Sequence, residues 1–191
     1  LELVGRSRFL HFGSVSLTGG EARQTTLYAV EEARRRGVLV SYDPNYRQAL
    51  WPSQEEAVAW MKRPLPLVDV LKLSDEELPL LTGTEDPEDG TALLREMGIP
   101  LVLLTLGGEG ACYRLGESFG RVDGVKTTVA DTNGAGDTFL GAVLSRLCRR
   151  PDGSLEGLTA GELEEIVVFA NRAAAKTCSR SGAIPAMPTL E

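Results

Sequence analysis

Histidine is nearly absent from this chain: His11 is the only one in 191 residues. It lies in the apolar run Phe9-Leu10-His11-Phe12, where a hydrogen-bonded core residue is expected, so a histidine-based triad is excluded. Cysteine is scarce as well. Cys112, Cys148 and Cys178 are odd in number, far apart and contain no Cys-x-x-Cys pair, which excludes a disulfide framework or zinc cage and reads as three small buried hydrophobes. No apolar run reaches membrane-spanning length; the longest, residues 99–106, is strand-sized and contains Pro100, and no signal-like segment opens the chain. Nor is positive charge in excess. With 20 Lys and Arg against 27 Asp and Glu, the formal charge is -7, which gives no footprint for a nucleic-acid partner. These absences predict a cytoplasmic chain with neither a nucleic-acid nor a membrane partner.

The remaining composition, 42% hydrophobic and 25% charged, suits one globular domain over residues 1–191. Short apolar clusters at 8–12, 38–42, 68–73 and 101–106 alternate with amphipathic stretches at 21–36, 54–62, 74–81 and 88–97. That alternation predicts an α/β fold with a mostly parallel sheet. Gly37, after Arg34-Arg35-Arg36, reads as a helix stop, and Gly83 and Gly98 read the same way. Gly107-Gly-Glu-Gly110 reads as a turn into strands at 111–115 and 121–123, which form an antiparallel edge. Two helices, 134–149 and 159–178, close the chain around a loop at 150–154.

The chemistry concentrates in Asp131-Thr-Asn-Gly-Ala-Gly-Asp137. Gly134 and Gly136 let the backbone bend closely around a ligand, and Phe139, Val143, Leu144 and Leu147 give the following helix an apolar face. The free amides and positive dipole end of that helix form an anion site. Asp137 either stabilises the dipole or serves beside the amides as a base for an attacking hydroxyl. A Walker A loop is excluded because no Lys follows, and a dinucleotide fingerprint is excluded because position 139 is Phe.

"DTNGAGDTF" resembles the C-terminal signature of the ribokinase-like (PfkB) carbohydrate kinases. The segments "SYDPNYRQALW", "LKLSDEELPLLTG", "TLGGEGA" and "FANRAAAKTCSRSGAIPAMP" resemble further family segments, in family order. The resemblance implies a three-layer ribokinase-like fold and ATP-dependent phosphorylation of a sugar, with Mg2+ and, in some members, K+. It implies that Asp137 is the base and that the amides of Gly134, Ala135 and Gly136 form the hole for the γ-phosphate. Thr105, Gly107 and Gly110 match a nucleotide-binding turn, although a plain hairpin also accounts for them. Ser74 and Glu77 match a pair serving phosphate and magnesium through water; Ser74 departs from the commoner asparagine, and the pair also reads as a helix capping box. Asn171 matches a position beside the adenine or is an exposed polar residue. Asp131, with the carbonyls of Asn133, Thr177 and Gly182, matches a monovalent-cation loop pair.

Asp43, Asn45 and Arg47 follow a strand's C-terminal end, where open α/β sheets bind ligands, and match acceptor-binding positions, although Asp-Pro-Asn is turn chemistry in its own right. Asp-Pro-Asn-x-Arg followed by Trp51 looks most like fructokinases and 2-keto-3-deoxygluconate kinases, ahead of ribokinase. One departure stands out: the family's N-terminal strands, glycine-rich sugar signature and lid have no counterpart here. The expectation is an N-terminally truncated kinase domain with an apolar sheet edge exposed and its homodimer contact in doubt. Two readings follow: a sugar kinase, or a folded nucleotide-binding chain without transfer activity.

Overall fold

The computed structural model describes residues 2–150 and 153–189. After a single helical turn, α1 (Glu2–Gly5), the elements are β1 (Phe9–Gly13), α2 (Gly20–Arg35), β2 (Leu39–Asp43), α3 (Gln54–Lys62), β3 (Val70–Ser74), α4 (Leu78–Thr82) and α5 (Pro87–Glu96). They continue with β4 (Leu101–Thr105), β5 (Gly110–Leu115), β6 (Ser118–Asp123), α6 (Ala135–Leu147) and α7 (Ala160–Cys178). The six strands form one sheet in chain order, mostly parallel with an antiparallel edge. Phe9 of β1 lies opposite Leu39 of β2, and Ser41 of β2 opposite Val70 of β3, both in parallel register.

The expected α/β class is therefore observed, and the burial pattern gives its cause. β2, β3 and β4 are buried along almost their whole length, as strands covered on both faces must be, which is why they read as unbroken apolar runs. β6 alternates irregularly and stays largely open. The chain divides into two compact units, one of Leu1–Leu104 with Tyr113–Phe119, the other of Thr105–Cys112 with Gly120–Glu191.

In the first unit, Asp69 is a junction. Its amide donates to the Val40 carbonyl at 2.9 Å and its carbonyl accepts from the Leu101 amide at 3.2 Å. Its carboxylate accepts from the Val40 amide at 2.7 Å and pairs with Arg34. Buried Arg114 on β5 donates to the Thr91 hydroxyl at 3.0 Å and the Glu88 carbonyl at 2.8 Å, holding α5. α2, α4 and α5 stop before Gly37, Gly83 and Gly98, as the sequence indicates.

In the second unit, α6 and α7 pack together, burying Phe139, Val143 and Leu147 of one and Leu163, Val167 and Ala170 of the other. The Thr138 and Thr177 hydroxyls meet at 2.9 Å across the pair. A capping box between Thr159 and Glu162 starts α7.

Several expectations need correction. His11 is hydrogen-bonded to Ser41 at 3.0 Å but exposed, because β1 lies at the sheet's end. Only Cys112 is buried; Cys148 and Cys178 are partly exposed, and none of the three is in a disulfide. The helix expected at 74–81 is confined to Leu78–Thr82, because β3 runs on to Ser74. At the expected apolar sheet edge, Phe9 and Leu10 of β1 are partly exposed and Phe12 is buried. Positions 151 and 152 of the expected loop lie outside the described residues.

Candidate active site

The first unit gathers a polar cluster at the C-terminal ends of β2 and β3. β2 ends at Asp43, and Asn45, two residues on, has φ 47°, the one non-glycine in the left-handed region among the described residues. A short polar side chain tolerates that conformation best, so the turn chemistry read from Asp-Pro-Asn is used in full. Glu77, 7% exposed, bridges the turn to β3: one oxygen accepts the Tyr46 amide at 2.7 Å, the other the Ser74 amide at 2.8 Å. Only half of the expected capping box is therefore present. The Glu77 amide is taken by the Ser74 carbonyl at 3.1 Å.

Sequence reasoning missed Lys72, which pairs with Asp43 at 3.0 Å, both side chains buried. Its signal was a lone charge inside the apolar strand, two residues before Ser74. Asn45, Tyr46 and Arg47, with Lys72, Ser74 and the glutamates 76 and 77, line a cavity of about 180 Å3. Arg47 itself is exposed and donates to the Tyr46 carbonyl at 3.2 Å. Burial, reinforced by the nearby Glu77 and Asp43 charges, pushes the Tyr42 hydroxyl well above its ordinary value of 10.0, so it stays protonated.

The second unit holds the start of α6. Gly134 is its N-cap at φ 78°, a conformation that favours glycine, and a Cβ there would crowd Ala183 Cβ at 3.1 Å and Met187 Cε at 3.2 Å. The first backbone bond into the helix runs from Thr138 to the Gly134 carbonyl at 2.8 Å. Among the described residues the Gly136 and Asp137 amides have no protein acceptor, whereas the Ala135 amide is already taken by the Thr132 carbonyl at 3.2 Å. This corrects the expected trio of Gly134, Ala135 and Gly136: the turn preceding the helix consumes the middle donor. Asp137 is exposed in the first turn. It borders a groove of about 490 Å3 that also reaches Gly141, Arg146, Arg172 and Lys176.

The two loops expected around Asp131 do meet. Its carboxylate accepts the Asn133 amide at 2.9 Å and the Gly182 amide at 3.0 Å, and these bonds hold its pKa below the ordinary 3.8. The Thr177 carbonyl, expected as a ligand, accepts the Arg180 amide at 3.2 Å.

In the glycine turn, Leu106 donates to the Gly110 carbonyl at 2.8 Å, with Gly107 exposed and Thr105 at the end of β4. A Cβ on Gly110 would fall 2.1 Å from the Val122 carbonyl oxygen. Backbone crossing, without any ligand, thus explains this glycine. Asn171 is not exposed: it is buried and donates to the carbonyls of Val122 and Asp123 at 3.3 and 3.2 Å, fixing the end of β6 to α7.

Comparison with known proteins gives these features a context. Residues 1–190 match the family described as pfkB family carbohydrate kinase. Fructokinase-1 of Oryza sativa subsp. japonica is 41% identical over 190 residues, 99% of this chain and 58% of the relative; the probable fructokinase-4 of Arabidopsis thaliana is 40% identical, with 57% of its length covered. The chain thus spans a little over half the length of these relatives. Among solved structures, the Vibrio cholerae O395 fructokinase with fructose, ADP and calcium superposes with TM-score 0.86 at 34% identity, covering 96% of this chain and 58% of that one. The ATP-bound fructokinase of Xylella fastidiosa gives 0.90 at 28% identity, covering 99% and 61%. Sequence match, strand order and fold agree that the chain belongs to the pfkB family of carbohydrate kinases.

Proposed function

We propose that residues 1–191 form one kinase domain that transfers the γ-phosphoryl group of ATP to a sugar hydroxyl, with fructose as the favoured acceptor. The supporting observation is the start of α6, where an exposed carboxylate stands beside amides that have no protein acceptor. Asp137 takes the proton from the sugar hydroxyl as its oxygen attacks phosphorus and ADP departs; the Gly136 and Asp137 amides and the helix dipole stabilise the charge on the transferred group. Fructose is favoured because the solved Vibrio relative holds fructose and ADP, and because Asn45 and Arg47, beside the buried Asp43 at the end of β2, carry polar groups suited to a polyol. 2-Keto-3-deoxygluconate and ribose are the alternative acceptors.

Thr105, Gly107, Gly110 and Asn171 form the nucleotide turn in this reading, Asn171 by fixing its neighbouring backbone. No cluster of three or more metal-binding side chains exists among the described residues. The residues fit a magnesium ion that travels with the nucleotide and is held through water near Ser74 and Glu77, since both Glu77 oxygens already accept amides. Such an ion neutralises phosphate charge when bound. Asp131 and the carbonyls of Asn133, Thr177 and Gly182 are the potassium candidates. The cytoplasm is the proposed setting of the reaction, where ATP is abundant.

The test is ADP release with ATP and magnesium, with fructose, 2-keto-3-deoxygluconate, ribose or no sugar. Fructose-dependent release above the other arms is expected. The absence of ADP release in every arm would instead support the second reading, a nucleotide-binding chain without transfer activity, and an equal rate with and without sugar would defeat the sugar-kinase reading.

A further inference from the structure

Nothing holds the side chain of Asp137: among the described residues its exposed carboxylate has neither a hydrogen bond nor an ion pair. Its position is therefore set by its backbone. A base of this kind must be well placed, since about 1 Å of misplacement can slow a reaction about 100-fold.

The residue that fixes that backbone is the next one. Thr138 is buried, its amide makes the first backbone bond of α6, to the Gly134 carbonyl at 2.8 Å, and its hydroxyl meets the Thr177 hydroxyl at 2.9 Å. The Thr177 hydroxyl donates to the Ala173 carbonyl at 3.4 Å, so it accepts from Thr138. The other end of the loop is tied to the same place. The Ala130 and Asp131 amides donate to the Cys178 carbonyl at 2.8 and 3.3 Å. Residues 130–138 thus form a clasp whose two ends close on residues 177 and 178 of α7, with the Gly136 and Asp137 amides between them. Phe139 is buried beside the clasp, but apolar contact resists separation without fixing direction. A hydrogen bond does fix it. We propose that Thr138 is a positioning residue for phosphoryl transfer: its hydroxyl, accepted by Thr177, holds the Gly136 and Asp137 peptides so that the carboxylate meets the acceptor hydroxyl and the amides meet the phosphate. This rests on the kinase reading for the reaction, but not for the clasp.

The test compares Thr138→Val, which keeps the shape and removes the hydroxyl, with Thr138→Ser, which restores it, and with Thr177→Val. Each is followed by steady-state ADP release with ATP, magnesium and fructose, and by amide hydrogen exchange read by NMR. Expected in Thr138→Val is a kcat about tenfold lower, with KM for ATP and fructose unchanged within about twofold. Thr138→Ser recovers the rate, and Thr177→Val loses it to a similar extent. The amide at position 138 loses protection in both valine variants, while the amides of residues 163–170 keep theirs. A merely structural threonine would lower protection along both helices alike and leave kcat unchanged below the melting temperature. That outcome, or a serine variant that behaves like the valine one, overturns the proposal. Should Thr138→Val fail to fold, Thr177→Val makes the same comparison from the other side of the bond. The kinase reading fails separately: a wild type without sugar-dependent ADP release removes the reaction, while selective, serine-restored loss of protection at position 138 upholds the clasp.

Discussion

The two units handle charge in opposite ways. At the ends of β2 and β3, Asp43, Lys72 and Glu77 are buried and already bonded to protein groups, so their geometry is fixed by folding before any ligand arrives. At the start of α6, Asp137 is exposed and the Gly136 and Asp137 amides have no acceptor among the described residues. The first arrangement stores its cost in the stability of the chain; the second leaves its donors free for chemistry. The lesson is that a substitution should be read by stability in one unit and by rate in the other.

The hardest test of that contrast is Lys72→Met. It strands the Asp43 carboxylate in a buried site, which costs about 3–5 kcal/mol, while Lys72→Met/Asp43→Leu removes both charges and recovers most of the loss. Urea unfolding of the two variants measures this; equal midpoints for single and double changes would show that the pair is not what matters. Next in size is Asp137→Asn. Because the side chain is exposed, its unfolding midpoint should shift by no more than about 0.5 kcal/mol. In an active form, kcat should fall by on the order of 10²-fold or more. A variant that keeps its kcat, or one that unfolds, would erase the distinction between the units.

The smallest effect concerns Asp131. Its pKa is lowered in the folded chain by the Asn133 and Gly182 amides. The stabilisation is therefore complete above the unfolded value, near 3.8, and drains away as pH falls through that value and below it. The Gly182 amide resonance, followed by NMR on acidification, should move over that window in the wild type. In Asp131→Asn it should stay still, and a wild-type resonance that is also flat would dissolve the loop staple.

Much of the fold was legible because β2, β3 and β4 are covered on both faces and so had to be written as apolar runs. The α6 start was legible for a different reason: glycines and an aspartate at a helix entrance have few other uses. Lys72 escaped because burial of a lysine depends on a partner, Asp43, that comes from another strand and has no fixed spacing in sequence. Asn171 and Gly110 misled in a related way. Each looked available to a ligand, yet each is occupied by the backbone near β6, a tertiary neighbour that local pattern cannot reveal. His11 was misplaced because an apolar run says that a strand exists, not that both its faces are covered.

Asp69 carries a further consequence. One residue, through its peptide and its carboxylate, joins the beginnings of β2 and β4 and a guanidinium of α2. Two successive crossover loops thus close at a single point, and the chain entropy lost in both closures is repaid there. Seen over time instead of space, once this junction forms, three strands share a common origin, and the polar cluster at the far ends of β2 and β3 comes into register.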